Sequence, residues 1–188
     1  MLCLASRSPR RRQLLAQIGF DAVTVLAIDI AEVCGDAEAA AAYVARVAQD
    51  KALAGRALVA AQDWVLAADT EVVLDGQVFG KPHDGEDAAA MLRRLSGRTH
   101  DVISGVCLIG AQATYRALVT THVRFGDLDE HVIAAYVASG ECFGKAGAYA
   151  VQGRGARLVA HLEGSYSGVV GLPLYETSEL LRRAGFAV

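Results

Sequence analysis

Leu4-Ala-Ser-Arg-Ser-Pro-Arg-Arg-Arg-Gln-Leu-Leu15 changes character within a few residues. Met1 to Ala5 is apolar and predicts a short buried strand. Ser6 to Ser8 is small and polar. Pro9 suits the first position of a helix, and Ser8 the cap before it. Leu14, Leu15 and Ile18 then recur at helical spacing. A strand hands directly into a helix whose start carries Arg7, Arg10, Arg11 and Arg12. A helix N-terminus favours anions through its free N–H groups and its dipole. Arginines packed there repel one another, and an anionic ligand would relieve that repulsion. Two readings stand: a polyphosphate site, or a solvated basic helix end.

Outward from this stretch, the pattern alternates between strands and helices. Ala22 to Ile28 predicts a second strand, followed by a loop with Asp29, Glu32 and Asp36. Ala37 to about Leu58 predicts a helix with Val44, Val47, Ala54 and Leu58 on one face. Lys51 falls on that stripe. Its head either snorkels to water while its stem packs, or points into a cleft. Trp64 to Ala68 predicts an interior strand ending in Asp69-Thr70. Val72 to Leu74, Asp75-Gly76 and Gln77 to Phe79 predict a hairpin with a type I′ turn. Asp84 caps a predicted helix to Leu95, stopped by Gly97. Strands follow at His100 to Ile109 and around Ala117 to Phe125, the latter with one wet face. Asp127 to Ser139 predicts a helix, and Pro173 opens the last one. The glycine-rich stretch between them allows either close backbone approach to a ligand or ordinary turns. The mixture is α/β or α+β, with at least one antiparallel hairpin.

Composition bounds the function. The chain has 188 residues, enough for one domain with a full core or one domain with two lobes. Its net charge of −3 argues against a general nucleic-acid or membrane binder, so the basic cluster stands out. Cys3, Cys34, Cys107 and Cys142 are scattered, without disulfide or zinc spacing, as expected of thiols in a reducing compartment. The first residues lack a signal-peptide pattern and no apolar run spans a membrane, so a cytoplasmic protein is expected.

Several polar residues interrupt apolar patterns. Asp69 follows a buried strand, where a general base or metal ligand is held rigidly; a simple turn residue would look the same. Glu32 lies on a loop, where solvation is the ordinary state. Lys81 sits in the stiff Gly80-Lys81-Pro82 turn. His100 is read as structural, with capping or ligand binding as the alternative. Two carboxylates could hold Mg2+ together with waters and phosphates, and arginines and lysines could balance phosphate charge. No Walker A, GxGxxG or GxSxG pattern occurs. The residues by themselves lead to a phosphate-handling, Mg2+-dependent α/β enzyme.

Leu4-Ala-Ser-x-Ser-Pro-Arg-Arg, Asp50-Lys-Ala, Ala68-Asp-Thr, Gly80-Lys-Pro, Leu95-Ser-Gly-x-x-His, Lys145-Ala-Gly-Ala-Tyr, Gln152-Gly and Gly171-Leu-Pro occur in this order. In this the chain resembles the Maf-like nucleotide pyrophosphatases over nearly its whole length. The resemblance implies a single domain over 1–188 with an elongated mixed β-sheet, flanking helices and two lobes around a central cleft, similar to the inosine triphosphate pyrophosphatase fold. It implies hydrolysis of a nucleoside triphosphate to monophosphate and diphosphate with a divalent cation, Mg2+ or Mn2+. By position, Asp69 resembles the family's proton acceptor. Ser6, Arg10, Arg11, Lys51 and Lys81 resemble its phosphate-side residues, and Glu32 its loop carboxylate, a metal ligand with Asp69. Glu32 is isolated in Ile30-Ala31-Glu32, where members often carry adjacent acids, and Gly168 stands where many have asparagine. Arg10, Thr70 and Gln152 resemble the set of the branch acting on dTTP and UTP. The 7-methyl-GTP branch carries an aromatic, a glutamine and a glutamate there. An amide such as Gln152 can donate and accept, as a pyrimidine edge requires. The alternatives are 7-methyl-GTP hydrolysis and nucleotide sensing in septum formation. The resemblance also suggests a homodimer.

Overall fold

The computed structural model describes residues 1–188. Strand β1 (Leu2–Ala5) is buried along its whole length and passes into helix α1 (Pro9–Gln17). Ser8 occupies the cap position, but its side chain makes no capping bond. The hydroxyl of Ser6 accepts the Ser8 N–H instead, at 3.1 Å. Strand β2 is only Thr24–Leu26, shorter than the Ala22 to Ile28 run predicts. It pairs with β1 alone at the sheet edge, where Thr24 and Val25 are exposed.

Helix α2 (Ala40–Arg56) is also shorter than the predicted span, and Leu58 lies beyond it, 65% exposed. Its buried face is Tyr43, Val44, Val47, Ala48, Lys51, Ala52 and Gly55. Small residues bring this face flush with the sheet. A Cβ on Gly55 would stand 2.8 Å from Val65 and 2.9 Å from Ala5, and one on Gly105 would stand 3.0 Å from the Val44 carbonyl. Any larger residue at either glycine would lift α2, and Lys51 with it, off the sheet.

Strand β3 runs unbroken over Trp64–Leu74, followed by β4 (Gln77–Val78). This corrects the expectation of a strand ending before Asp69: the polar Asp69-Thr70-Glu71 run lies mid-strand. The ladder to β5 (Thr99–Ile109) continues through it, with Asp69 opposite Gly105, Thr70 opposite Ser104 and Glu71 opposite Ile103. Asp75 and Gly76 both have positive φ, 53° and 75°, as the type I′ hairpin turn requires. Helix α3 (Gly85–Leu95) starts at Asp84, which accepts the Asp87 N–H at 2.8 Å. Strand β6 (Thr114–Phe125) pairs with β5, and β7 (Val159–Glu163) with β6. Helices α4 (Glu130–Ala138), α5 (Tyr166–Val170) and α6 (Leu174–Arg183) complete the chain.

The seven-stranded sheet has the order β2-β1-β3-β5-β6-β7, with β4 on β3. The β1 pairings are parallel and the rest antiparallel, so the sheet is mixed. Its core divides along β3. On one face Leu66 and Ala68 pack with α1 and α6, while Val72 and Leu74 pack with α3 and α4. On the other face Val65 and Ala67 belong to one apolar cluster and Val73 to a second. Residues 69–71 separate the halves on both faces, which creates two lobes with the cleft between them.

Candidate active site

The cleft follows from a gap in the sheet. On the edge of β3 away from β5, β1 pairs only with residues 64–66 and β4 only with 73–74. The intervening edge has no strand partner, and a cavity of about 530 Å³ opens there. Ligand sites of small molecules commonly enclose such volumes. Asp69, Glu71, Lys51, Glu32, Lys81, Ser6, Arg10, Arg11, Thr70 and Gln152 all line it. Every site residue predicted from sequence therefore reaches one cavity, brought there by six separate segments.

Asp69 and Glu71 project from the same face of β3, two residues apart. Lys51 descends on them from α2. Its Nζ lies 2.8 Å from Asp69 Oδ1 and 2.8 Å from Glu32 Oε1. Of the two readings of Lys51, the structure selects the ammonium aimed into the cleft, with the residue 9% exposed. Glu32 is not a free loop acid: its Oε2 also lies 3.5 Å from Lys81 Nζ. Burial alone would raise the Glu32 carboxyl. The hydrogen bond and charge of Lys51, joined by Lys81, outweigh that and hold it below the ordinary carboxylate range. Asp69 is 3% exposed, and its second oxygen, Oδ2, is buried without a hydrogen-bond partner.

Glu71 is a site residue that sequence reasoning missed. It is 6% exposed, and its Oε2 is buried without a hydrogen-bond partner. Burial pushes its carboxyl up to about 8, the charge of Asp69 adds to this, and Lys81 works against it. The available signal was its spacing of two from Asp69, which places both acids on one strand face only if the strand is continuous. Lys145 and Tyr149 also line the cleft. Burial, then repulsion from Arg10, lowers the Lys145 ammonium below its ordinary range.

The N-terminal basic cluster divides in two. Arg10 Nε donates to the Val170 carbonyl at 3.3 Å, and Arg11 Nε to the Gly171 carbonyl at 2.8 Å. Arg11 Nη1 also donates to Ser6 Oγ at 3.3 Å. Burial lowers the pKa of both guanidiniums, and for Arg11 the charge of Asp69 works in the opposite sense. Neither has a carboxylate within ion-pair distance. Arg7 instead points to solvent with Asp29 at 3.8 Å, and Arg12 is exposed. Two aimed and unneutralised guanidiniums beside a carboxylate cluster form a charged wall suited to a polyanion.

Thr70 projects to the opposite face of β3. Its Oγ1 lies 3.1 Å from Ser104 Oγ, which donates to the Gly168 carbonyl at 2.8 Å. Ser104 spends its proton on Gly168, so Thr70 donates to Ser104 and keeps its own lone pairs for a ligand. Gln152 is exposed at the cleft rim, and its side chain makes no hydrogen bond with the protein. His100 is structural. Its Nε2 bonds Tyr149 Oη at 2.9 Å and its ring packs edge-on against Phe125. Burial lowers its pKa to about 4.

No trio of Asp, Glu, His or Cys converges closely enough to hold a metal through protein ligands alone. The donor set instead fits an oxygen-seeking cation that keeps waters and uses one or two carboxylates with substrate phosphates. Two buried carboxylate oxygens, on Asp69 and Glu71, lack partners. No helix is long and apolar enough to cross a membrane.

The family model for Maf-like proteins matches residues 1–184. A dTTP/UTP pyrophosphatase of Xanthomonas axonopodis pv. citri is 57% identical, covering 98% of this chain and 99% of its own. Those of Methylococcus capsulatus and Vibrio cholerae are 55% and 51% identical, covering 98% and 97% of this chain and 91% and 97% of their own. A solved nucleoside-triphosphatase / dITP/XTP pyrophosphatase structure from Mycobacterium abscessus superposes with a TM-score of 0.46 at 14% identity, over 97% of this chain and 93% of that one. With the motif residues lining one cleft and a family match across nearly its whole length, this chain belongs to the Maf-like family.

Proposed function

We propose that this chain is a nucleoside triphosphate pyrophosphatase that hydrolyses dTTP and UTP, and modified pyrimidine nucleotides, to the monophosphate and diphosphate. The observation that carries this reading is the asymmetry of Asp69, which lines the cleft: one oxygen is held by Lys51, and the other is buried without a protein partner. A carboxylate fixed in this way is placed to take a proton from water. Relatives 51–57% identical bear the name dTTP/UTP pyrophosphatase, which supports the substrate class.

In this reading water attacks the α-phosphorus. The new P–O bond forms as the bridging bond to the β-phosphate breaks, and the water proton passes to Asp69 Oδ2. Lys51 keeps Asp69 oriented, and Glu32 keeps Lys51 and Lys81 in place. Ser6, Arg10 and Arg11 bind the phosphates, and the guanidiniums offset charge on the leaving diphosphate. Thr70 and Gln152, with Arg10, recognise the nucleoside end. Mg2+ or Mn2+, when bound, supplies charge neutralisation and polarises the phosphoryl oxygens; Asp69 with Glu32 or Glu71 would hold it. The protein acts as one domain over 1–188, as a homodimer, in a cytoplasm whose reducing conditions suit its four free thiols.

The test is release of diphosphate from a panel of nucleotides with Mg2+ or Mn2+. Turnover of dTTP and UTP above the purines is expected. Faster turnover of 7-methyl-GTP would overturn the substrate assignment. Tight nucleotide binding with no diphosphate release would favour a sensor. In heavy-oxygen water the label should enter the monophosphate, and label in the diphosphate alone would place the attack at the wrong phosphorus.

A further inference from the structure

The cleft asks Asp69 to do two things with one free atom. Its Oδ1 is engaged by Lys51 at 2.8 Å, so Oδ2 is its one oxygen without a protein partner, wanted by both a proton and a cation. Glu32 relieves this poorly, because Lys51 and Lys81 hold its two oxygens. Glu71 is different. It lies two residues from Asp69 on the same strand face, roughly 7 Å along the chain. It is 6% exposed, lines the cleft, and receives no hydrogen bond or ion pair from the protein, with Oε2 fully buried. An unpaired carboxylate that deeply buried is costly unless something neutralises it. Both neighbouring positions, Thr70 and Val72, point to the other face, where they pack or bond within the protein.

We propose that Glu71 is a ligand of the divalent cation, sharing it with waters and the nucleotide phosphates, so that Asp69 Oδ2 stays free for the proton. This rests on the cation-assisted hydrolysis proposed above. It assigns a role to a residue outside the motif set, and it moves Glu32 from metal ligand to holder of the two lysines. The β3 backbone, paired to Ile103, fixes where the Glu71 side chain leaves the strand.

The test measures binding rather than turnover: calorimetric titration of α,β-methylene-UTP into the full-length protein over a series of Mn2+ concentrations. Glu71→Gln should need at least about tenfold more Mn2+ for the same analogue affinity, as loss of a metal-site group does. Without Mn2+ it should bind the analogue about as tightly as wild type, because the amide keeps the side chain's shape and the carboxyl makes no hydrogen bond to the protein that the substitution could break. A merely structural role would weaken both. Glu71→Asp, which keeps the carboxylate, should fall between the two, and Glu32→Gln should keep the wild-type Mn2+ dependence. Wild-type Mn2+ dependence in Glu71→Gln, or loss of that dependence in Glu32→Gln alone, overturns the proposal while leaving the nucleotide reading intact. A wild-type protein that binds no analogue at any Mn2+ concentration would remove the nucleotide reading, and this proposal with it.

Discussion

Replacing Lys51 with methionine removes the ammonium while keeping a long unbranched stem for the α2 face. In the native protein that ammonium contacts Asp69 and Glu32, each at 2.8 Å. At an effective dielectric near 20 each contact is worth roughly 6 kcal/mol gross, before desolvation is subtracted. The two carboxylates respond differently to its loss. The Glu32 side chain is 31% exposed and can turn to water, whereas that of Asp69 is 5% exposed and cannot. The cost therefore falls mainly on Asp69, left beside Glu71 with neither oxygen paired. Breaking one partner of a buried pair in this way costs about 3–5 kcal/mol. Neutralising the survivor should recover much of this: Lys51→Met with Asp69→Asn should be more stable than Lys51→Met alone. Urea unfolding of the four members of the cycle in metal-free buffer at neutral pH gives the coupling energy, expected at about 2 kcal/mol or more. Additivity within about 0.5 kcal/mol would show that Lys51 and Asp69 act independently, and would remove the basis for Lys51 as the group that orients the base.

Other expectations follow from single contacts. His100 has a folded-state pKa of about 4 against an ordinary 6.5, since burial beside Tyr149 and Phe125 disfavours its charged form and the charge of Asp101 only partly restores it. As pH falls below 6.5 the unfolded chain takes up a proton that the folded one refuses, so stability declines by up to about 3 kcal/mol by pH 4. His100→Gln should lack that part of the decline in denaturant melts, and parallel profiles would refute it. Arg46 grips Glu38 with two contacts of 2.7 Å and the Val33 carbonyl at 3.0 Å, which ties the loop bearing Glu32 to α2. Arg46→Ala should change global stability by less than about 1 kcal/mol, as for exposed ion pairs. It should nonetheless lower kcat and speed hydrogen exchange over residues 32–38; unchanged exchange would contradict the tether. Gln152→Glu should weaken dTTP and UTP turnover more than that of purine nucleotides, and equal loss across bases would refute its place at the nucleobase.

Much of the architecture was legible because local signals agreed with the tertiary outcome. Ser-Pro after an apolar run marks the passage from β1 to α1. Asp75-Gly76 adopts the two positive φ angles of its turn, and Asp84 caps α3 through the Asp87 N–H. What failed was the reading of Asp69-Thr70-Glu71. Three polar residues in succession look like a break when burial is inferred from hydrophobicity, yet backbone pairing to β5 carries the strand through them. Losing that continuity hid Glu71, because two acids two positions apart share a face only on an unbroken strand. Lys51 was ambiguous for another reason. Spacing placed it on the buried stripe, but its direction depends on how closely α2 approaches the sheet. Gly55 and Gly105, distant in sequence, decide that approach. The basic cluster could be divided only in part from local sequence, since the carbonyls that aim Arg10 and Arg11 belong to residues 170 and 171.

The central claim is that the free oxygen of Asp69 receives the proton of the attacking water. Asp69→Asn preserves shape and keeps an oxygen for Lys51, so a structural loss is not expected. The deciding measurement is diphosphate release from dTTP by this variant, alongside its calorimetric affinity for α,β-methylene-UTP. Turnover should fall by about a hundredfold or more, the scale of a lost general base, while the analogue still binds. Wild-type turnover in Asp69→Asn would contradict the account.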